Sequence, residues 1–516
     1  MTAYPDIVLL VLDTQRVDRL SCYGHPFETT PYLDELAADA TLFRHAYSTA
    51  QWTIPSHSSM FTGLYPGQHN MLHASSVLPD HLTTLAERLS EHGYFTAGFC
   101  NNPLIGVVNT GLQRGFYSFL NYGGLMTSRP HQTGGEKHAL DRYRQRFKRG
   151  LAKVLNYMQD SFAHSDTLLD LSFSPLLAPL WQTALSFKGN TAKSLQDAAK
   201  LHIGRRGLAK DQPIFSFVNL MEVHMPYHPP PGFIERFAPQ VARNKAARRY
   251  LRQFNSDVFG WMAPLVSNID EQNKAILDGM YNAEVARQDE LVGTFLKQLR
   301  ASGVLDHTLL IVCSDHGEHL GEKQLMGHSI SLYDTLVHVP TIIRDPAGDL
   351  PRGTTVDQIV STRRIFHTAL TAARANRAAE ESLTLAQSPA SDPDQGRVFA
   401  LGVTPQNLLN LMQRRRPEMV EARHLDRPRS AVLHERYKLI QTGDDELELY
   451  DTIDDPGENV NLHNILPEQV ERLQPYLQAF LHPMSVADAV DVPEVPADVY
   501  DDPQIYRRLR DLGYLE

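Results

Sequence analysis

Two apolar runs constrain the fold more than any other feature of this chain. Ile7-Val8-Leu9-Leu10-Val11-Leu12 is closed by Asp13, and Leu309-Leu310-Ile311-Val312-Cys313 is followed by Ser314 and Asp315. A strand that is apolar at every position, not at alternate ones, is buried on both faces, as parallel strands are. Amphipathic spacing supplies helices between such strands. Residues 31–40 put Leu33, Leu36 and Ala37 on one face, 82–92 do the same with Leu82, Leu85 and Leu89, and 273–300 carry a longer stripe through Ile276, Met280 and Leu291. Residues 94–100 and 212–220 read as further buried strands. The alternation predicts an α/β fold.

At 516 residues the chain has room for two or more domains. We assign 1–377 to a catalytic domain, 378–395 to a polar linker, and 396–516 to a smaller C-terminal α+β subdomain with strands in 397–403, 430–441 and 447–450. Residues 122–193 break the pattern as a helical insertion. Within it, 137–153 is basic, with Leu140, Tyr143, Phe147 and Leu151 at helical spacing. Packing on the main domain is the plain reading; contact with a membrane surface through 137–187, or with a second subunit, are the alternatives. The most apolar stretch, 168–187, is interrupted by Asp170, Pro175 and Pro179, which argues against a membrane span. A net charge of −11 argues against a nucleic-acid partner. Cys22, Cys100 and Cys313 have no metal-binding spacing and read as buried thiols. With no leader-like opening, the expected location is cytoplasmic.

Ligands of open α/β sheets collect at the carboxyl ends of the strands. A lone aspartate there is more often a turn or cap residue, but Asp13 and Asp315 end two strands, and His316 follows the second. A third stretch, Thr53-Ile54-Pro55-Ser56-His57, places a hydroxyl before a short helix whose first turn accommodates Pro55. Thr53 then lies beside unpaired N–H groups, as a cap residue does, and at a position that favours an anion. Two carboxylates, an imidazole and a hydroxyl are a donor set for a divalent cation.

These stretches, in this order, resemble the sulfatase family of the alkaline-phosphatase superfamily. The resemblance rests on Val11-Leu12-Asp13-Thr14, Thr53-Ile54-Pro55-Ser56-His57 with Thr62-Gly63, and Asp315-His316-Gly317. It extends to His224-Met225-Pro226-Tyr227, Gly327-His328-Ser329, Leu332-Tyr333-Asp334, Glu435 to Ile440, Asp455 to Asn459 and Leu509 to Tyr514. It implies an α/β/α sandwich with a central mostly parallel sheet. It also implies a metal on Asp13, Asp315 and His316, Thr53 at the nucleophile position and as a further metal contact, and His224 and His328 facing the transferred anion. Asn102 would line the same pocket. Calcium, magnesium, manganese and zinc all suit the ligands. A second metal on Glu222, His224 and His328 is the less favoured arrangement.

Three positions depart from the family pattern. Thr53 stands where family members carry the cysteine or serine that becomes formylglycine, and a threonine cannot give that aldehyde, so no formylglycine is expected. His57 replaces the motif's arginine, and Thr14 replaces a metal-binding aspartate. The expected function is therefore metal-dependent hydrolysis of a small phosphate, phosphonate or sulfate ester. Thr53 is the nucleophile, with His224, His328 and His57 balancing charge or protonating the leaving group. The alternatives are a transferase of phospho-alcohol groups and a non-catalytic binding protein on the same fold.

Overall fold

Strand β1 (Asp6–Leu12) runs through the middle of an eight-stranded sheet in the computed structural model, which describes residues 4–122, 188–256, 261–262, 264–387 and 391–486. The basic segment 137–153, the stretch 168–187 with its proposed membrane or subunit contacts, and the motif 509–514 lie outside the described residues. The other strands are β2 (Thr41–Tyr47), β3 (Phe95–Cys100), β4 (Ser118–Asn121), β5 (Ile214–Leu220) and β6 (Thr308–Cys313). A small pair, β7 (His319–Leu320) and β8 (Met326–Gly327), precedes β9 (Thr341–Arg344) and β10 (Thr354–Ser361). Their order is β10-β2-β9-β6-β1-β5-β3-β4, and β9 alone runs antiparallel to its neighbours.

The unbroken apolar pattern of β1 has the predicted cause. Ile7, Leu9 and Val11 face one core with the helices Thr53–Thr62, Leu85–Glu91 and Arg364–Ala372. Val8, Leu10 and Leu12 face a second core with the helices Pro31–Ala37, Thr191–Gly204 and Glu271–Ala301. All six side chains are fully buried, each contributing about 1.5–3 kcal/mol by removal from water. The result is the α/β/α sandwich. One helix starts later than its apolar spacing suggests. Thr84 Oγ1 accepts from the Glu87 N–H (3.1 Å) while Glu87 Oε2 accepts from the Thr84 N–H (2.8 Å), so the capping box sets the start at Leu85.

The C-terminal subdomain is a four-stranded antiparallel sheet of β11 (Arg397–Gly402), β12 (Arg429–His434), β13 (Tyr437–Thr442) and β14 (Glu446–Asp451). The helix Pro467–Val486 contributes Leu473 and Leu477 to a core with Val432, Leu439 and Leu449. Between the two sheets, Leu385 is buried with the first core, and Asp392 and Asp394 pair with the Arg364 guanidinium. Among the described residues, no helix is long and apolar enough to cross a membrane.

Candidate active site

Register brings the two aspartates together. Val11 pairs with Cys313, so the residues two positions further on, Asp13 and Asp315, leave adjacent parallel strands side by side. The chain turns sharply after each. Thr14 adopts a left-handed backbone (φ 59°), its N–H donates to Asp315 Oδ1 (3.2 Å), and the Gln15 N–H donates to Ser314 Oγ (3.1 Å). Tyr281 fixes the turn by donating its hydroxyl to the Thr14 carbonyl (2.6 Å).

Each aspartate uses one oxygen for the protein and keeps the other. Asp13 Oδ2 accepts from Asn102 Nδ2 (2.8 Å) and Asn219 Nδ2 (3.3 Å). Asp315 Oδ1 also accepts from the His316 N–H (3.0 Å). Asp13 Oδ1 and Asp315 Oδ2 are buried and take no hydrogen bond. His316 donates from Nδ1 to the Gly317 carbonyl (2.9 Å), which leaves Nε2 with its lone pair, 3.3 Å from Asp315 Oδ2. Burial, reinforced by the Asp315 charge, pushes the Asp13 carboxyl up to about 8. Burial pushes Asp315 up to about 7 and holds His316 below the usual imidazole range.

This environment suits a cation. One ligand atom from each of Asp13, Asp315 and His316 lies within 4.8 Å of the others, and the two orphaned carboxylate oxygens accept no hydrogen bond. Among the described residues this is the one group of its kind, so Glu222, His224 and His328 do not form a second. Glu222 is instead half-buried, and its backbone carbonyl accepts from Lys188 Nζ (2.6 Å).

Thr53 completes the cluster from a third element. Its Oγ1 lies 3.3 Å from His316 Nε2. It is the first residue of the helix Thr53–Thr62, not the residue before it; Trp52, extended at φ −161°, is the cap and contributes no side-chain hydrogen bond. Ser56, within the first turn, donates its hydroxyl to the Asp315 carbonyl (2.7 Å), which ties the helix end to β6. His57, four residues along, donates from Nδ1 to the Thr53 carbonyl (3.0 Å) and lies 3.4 Å from Asp315 Oδ2. Its ring meets Phe61 and Phe217 edge-on, and burial pushes it down to about 3. His57 therefore stands neutral behind the Thr53 backbone.

The other two histidines follow from His316, with His328 in ring contact with both His316 and His224. The ring of His328 lies 4.6 Å from that of His316 and 5.0 Å from that of His224, centre to centre. His224 donates from Nδ1 to the Met225 carbonyl (2.5 Å). His328 donates from Nδ1 to Glu318 Oε1 (2.8 Å), and Glu318 Oε2 accepts from the Met225 N–H (3.4 Å). Burial pushes His224 down to about 3 and His328 well below the usual range. Glu318 and Asn219 belong to this site, and sequence reading alone assigned neither a role. Their signals are a fourth residue in the run Asp315-His316-Gly317-Glu318 and a polar residue in the otherwise apolar β5.

A family model for sulfatases matches residues 5–375. The chain belongs to the sulfatase family. An arylsulfatase of Clostridium perfringens is 23% identical over 71% of this chain and 74% of its own length. An ulvan-active sulfatase of Formosa agariphila is 24% identical over 70% of this chain but 60% of its own length. The crystal structure of a phosphonate monoester hydrolase of Agrobacterium radiobacter superposes with a TM-score of 0.62, covering 93% of this chain and 95% of that one, at 19% identity. That likeness establishes the fold. This sulfatase-family protein is accordingly an ester hydrolase, with an acidic and imidazole cluster suited to the divalent metal typical of the family.

Proposed function

We propose that this enzyme hydrolyses small phosphate or phosphonate esters, and sulfate esters less readily, with Thr53 as its nucleophile. The observation that carries the reading is the 3.3 Å separation of Thr53 Oγ1 from His316 Nε2, beside the orphaned oxygens of Asp13 and Asp315. The preference for phosphorus follows from threonine, whose β-methyl bars the formylglycine route. Asp13, Asp315 and His316 would hold a divalent cation (calcium, magnesium, manganese or zinc), with the Thr53 hydroxyl beside it. When bound, the cation lowers the pKa of that hydroxyl and offsets anionic charge on the ester.

Thr53 Oγ1 gives up its proton and bonds to phosphorus, and the bond to the leaving oxygen breaks in line with it. The proton given up by Thr53 ends on the leaving alkoxide, which departs as the alcohol. Water then attacks phosphorus, the bond to Thr53 Oγ1 breaks, that oxygen takes back a proton from the water, and the phosphate or phosphonate is released. The positive end of the helix Thr53–Thr62 lies at Thr53, where its dipole stabilises the transferring anion. His224 and His328 face its non-bridging oxygens, and His57 supports Thr53 from behind through the Thr53 carbonyl. The three cysteines, none of them in a disulfide, and the charge of −11 support a cytoplasmic enzyme acting on a small anionic ester and not on nucleic acid.

The test is a pair of variants assayed on 4-nitrophenyl phosphate, phosphodiester, phosphonate and sulfate esters. Thr53→Ala is expected to lower turnover by at least about 10³-fold with metal content unchanged, while Thr53→Ser keeps activity and accumulates a phosphorylated species visible by intact mass. Near-wild-type turnover by Thr53→Ala would remove Thr53 from the role.

A further inference from the structure

The motifs at 435–440 and 455–459 lie in the C-terminal subdomain, away from the chemistry described above, yet they converge on one loop of the catalytic domain. Lys438 on β13 is 1% exposed. Its ammonium donates to Asp334 Oδ1 (2.5 Å) and to the Leu332 carbonyl (3.1 Å), and it pairs with the Glu458 carboxylate. Glu458 closes the cluster by accepting the Asp334 N–H at Oε2 (2.7 Å). Tyr333, between the two, donates its hydroxyl to Glu448 on β14 (2.9 Å). The C-terminal end of the segment 321–334 is thus gripped by β13, β14 and the turn at Glu458.

The other end is held from the same side. Lys323 Nζ donates to the Glu458 backbone carbonyl and lies over the rings of Tyr333 (4.9 Å) and Tyr450 (5.0 Å). Arg423 donates to the Lys323 carbonyl (2.9 Å) and to Gln324 Oε1 (2.6 Å). Midway, Gln51 donates from Nε2 to both the Ser329 carbonyl (3.2 Å) and the Val403 carbonyl (3.1 Å). His328 sits between these anchors. Three non-glycine residues of the segment, Lys323, Gln324 and Ser329, have left-handed backbones (φ 57°, 58° and 85°). Such conformations persist where the surroundings over-determine them, and here the anchors fall on or beside each one.

We propose that the C-terminal subdomain is a positioning element of the active site, in which Lys438, acting through Asp334 and Glu458, holds 321–334 in the conformation that presents His328 to the substrate. This rests on the reading that His328 faces the transferred group. Lys438 is then a positioning residue. It neither touches substrate nor holds metal.

The full-length protein carrying Lys438→Met tests this, read by metal content, kcat and KM on a 4-nitrophenyl phosphonate ester, and hydrogen–deuterium exchange of peptides spanning 321–334. Because Lys438→Met strands two buried carboxylates, Arg423→Ala, which removes the grip at the other end, is read in parallel. The expected result is metal content unchanged, faster exchange confined to 321–334, and kcat lowered about tenfold or more for Lys438→Met and about threefold for Arg423→Ala. In a His328→Ala background, Lys438→Met should lower kcat no further. Wild-type exchange and kcat in both variants would overturn the proposal and leave the role of His328 standing, as would an undiminished effect of Lys438→Met in the His328→Ala background. Wild-type kcat in His328→Ala alone would overturn that role, and the proposal with it.

Discussion

Glu318 Oε1 accepts a 2.8 Å hydrogen bond from Nδ1 of His328, and both side chains are fully buried. The bond sets the tautomer and the orientation of the imidazole in one stroke, because an acceptor at Nδ1 fixes the proton there and aims Nε2 away from Glu318. Glu318 also takes the Met225 N–H, next to His224, so one carboxylate steadies two of the three clustered histidines.

Glu318→Ala should therefore lower kcat by about 10²-fold, the scale of a small misplacement of a catalytic group, with metal content unchanged. Glu318→Gln keeps an acceptor oxygen of the same length and should lose several-fold less. Steady-state kinetics with metal analysis of the same preparations checks both. Equal losses in the two variants would mean that the charge of Glu318, and not its grip on His328, is what matters.

Asn102 and Asn219 do for Asp13 what Glu318 does for His328. Their amides hold Asp13 Oδ2 at 2.8 and 3.3 Å and leave Oδ1 for a cation. Outer groups of this kind are worth about 10–100-fold in metal affinity. Asn102→Ala is expected to weaken metal binding within that range, by titration of metal-stripped protein, with kcat at saturating metal lowered less than affinity. Asn102 also caps the short helix Pro103–Gly106 by accepting the Leu104 N–H (2.9 Å), so Asn102→Asp is the control that keeps the cap and loses the amide.

What could be read in advance follows from how local each signal is. β1 and β6 declare themselves because each carries an unbroken apolar run, Ile7 to Leu12 and Leu309 to Cys313, with an aspartate within two residues of its end. β2 and β10 do not: Arg44 and His45 interrupt the first, and the second alternates, with Thr355 and Asp357 open to solvent. Asp13, Thr53, Asp315 and His316 were legible from short motifs. That they meet depends on the Val11–Cys313 register, which no single stretch of chain encodes. Asn219 was missed for the same reason. A polar residue near the end of an apolar strand has no visible purpose until β1 is known to lie beside it, with Val11 opposite. His57 was legible as a site residue, but its direction was not, since the helix turn that aims it at the Thr53 carbonyl and packs it on Phe217 is a tertiary outcome.

Removing the metal should expose the charge problem at the strand ends as a pH effect. Asp13 is pushed up to about 8 and Asp315 to about 7, against about 3.8 in the unfolded chain. Below about pH 4 both states hold these protons and nothing is lost. As pH rises, the unfolded chain releases them first, so folding loses stability progressively until about pH 8, beyond which the loss is complete. Chelated protein is therefore expected to melt at steadily lower temperature from pH 5 to 8. Chelated Asp13→Asn should show a flatter profile and exceed the wild type at pH 8. A Tm slope unchanged by Asp13→Asn would show that other groups carry it.

Gly317 is the glycine of this site that cannot be replaced without moving its neighbours. A Cβ there would lie 2.0 Å from the Thr335 carbonyl oxygen, a backbone atom that cannot swing aside. The backbone cannot retreat either, since the Gly317 N–H donates to the Leu336 carbonyl (2.7 Å) and its own carbonyl accepts from His316 Nδ1. Any relief shifts His316, so Gly317→Ala should cost about 1–3 kcal/mol in stability and lower metal affinity together. Gly204, at the end of the helix Thr191–Gly204, has open space where its Cβ would go, and Gly204→Ala should be neutral or stabilise by up to about 1 kcal/mol with affinity unchanged. Denaturant unfolding and metal titration of the two variants separate a strained site from a general intolerance of alanine: loss of stability in Gly317→Ala with wild-type metal affinity would mean that the turn relaxes without disturbing His316.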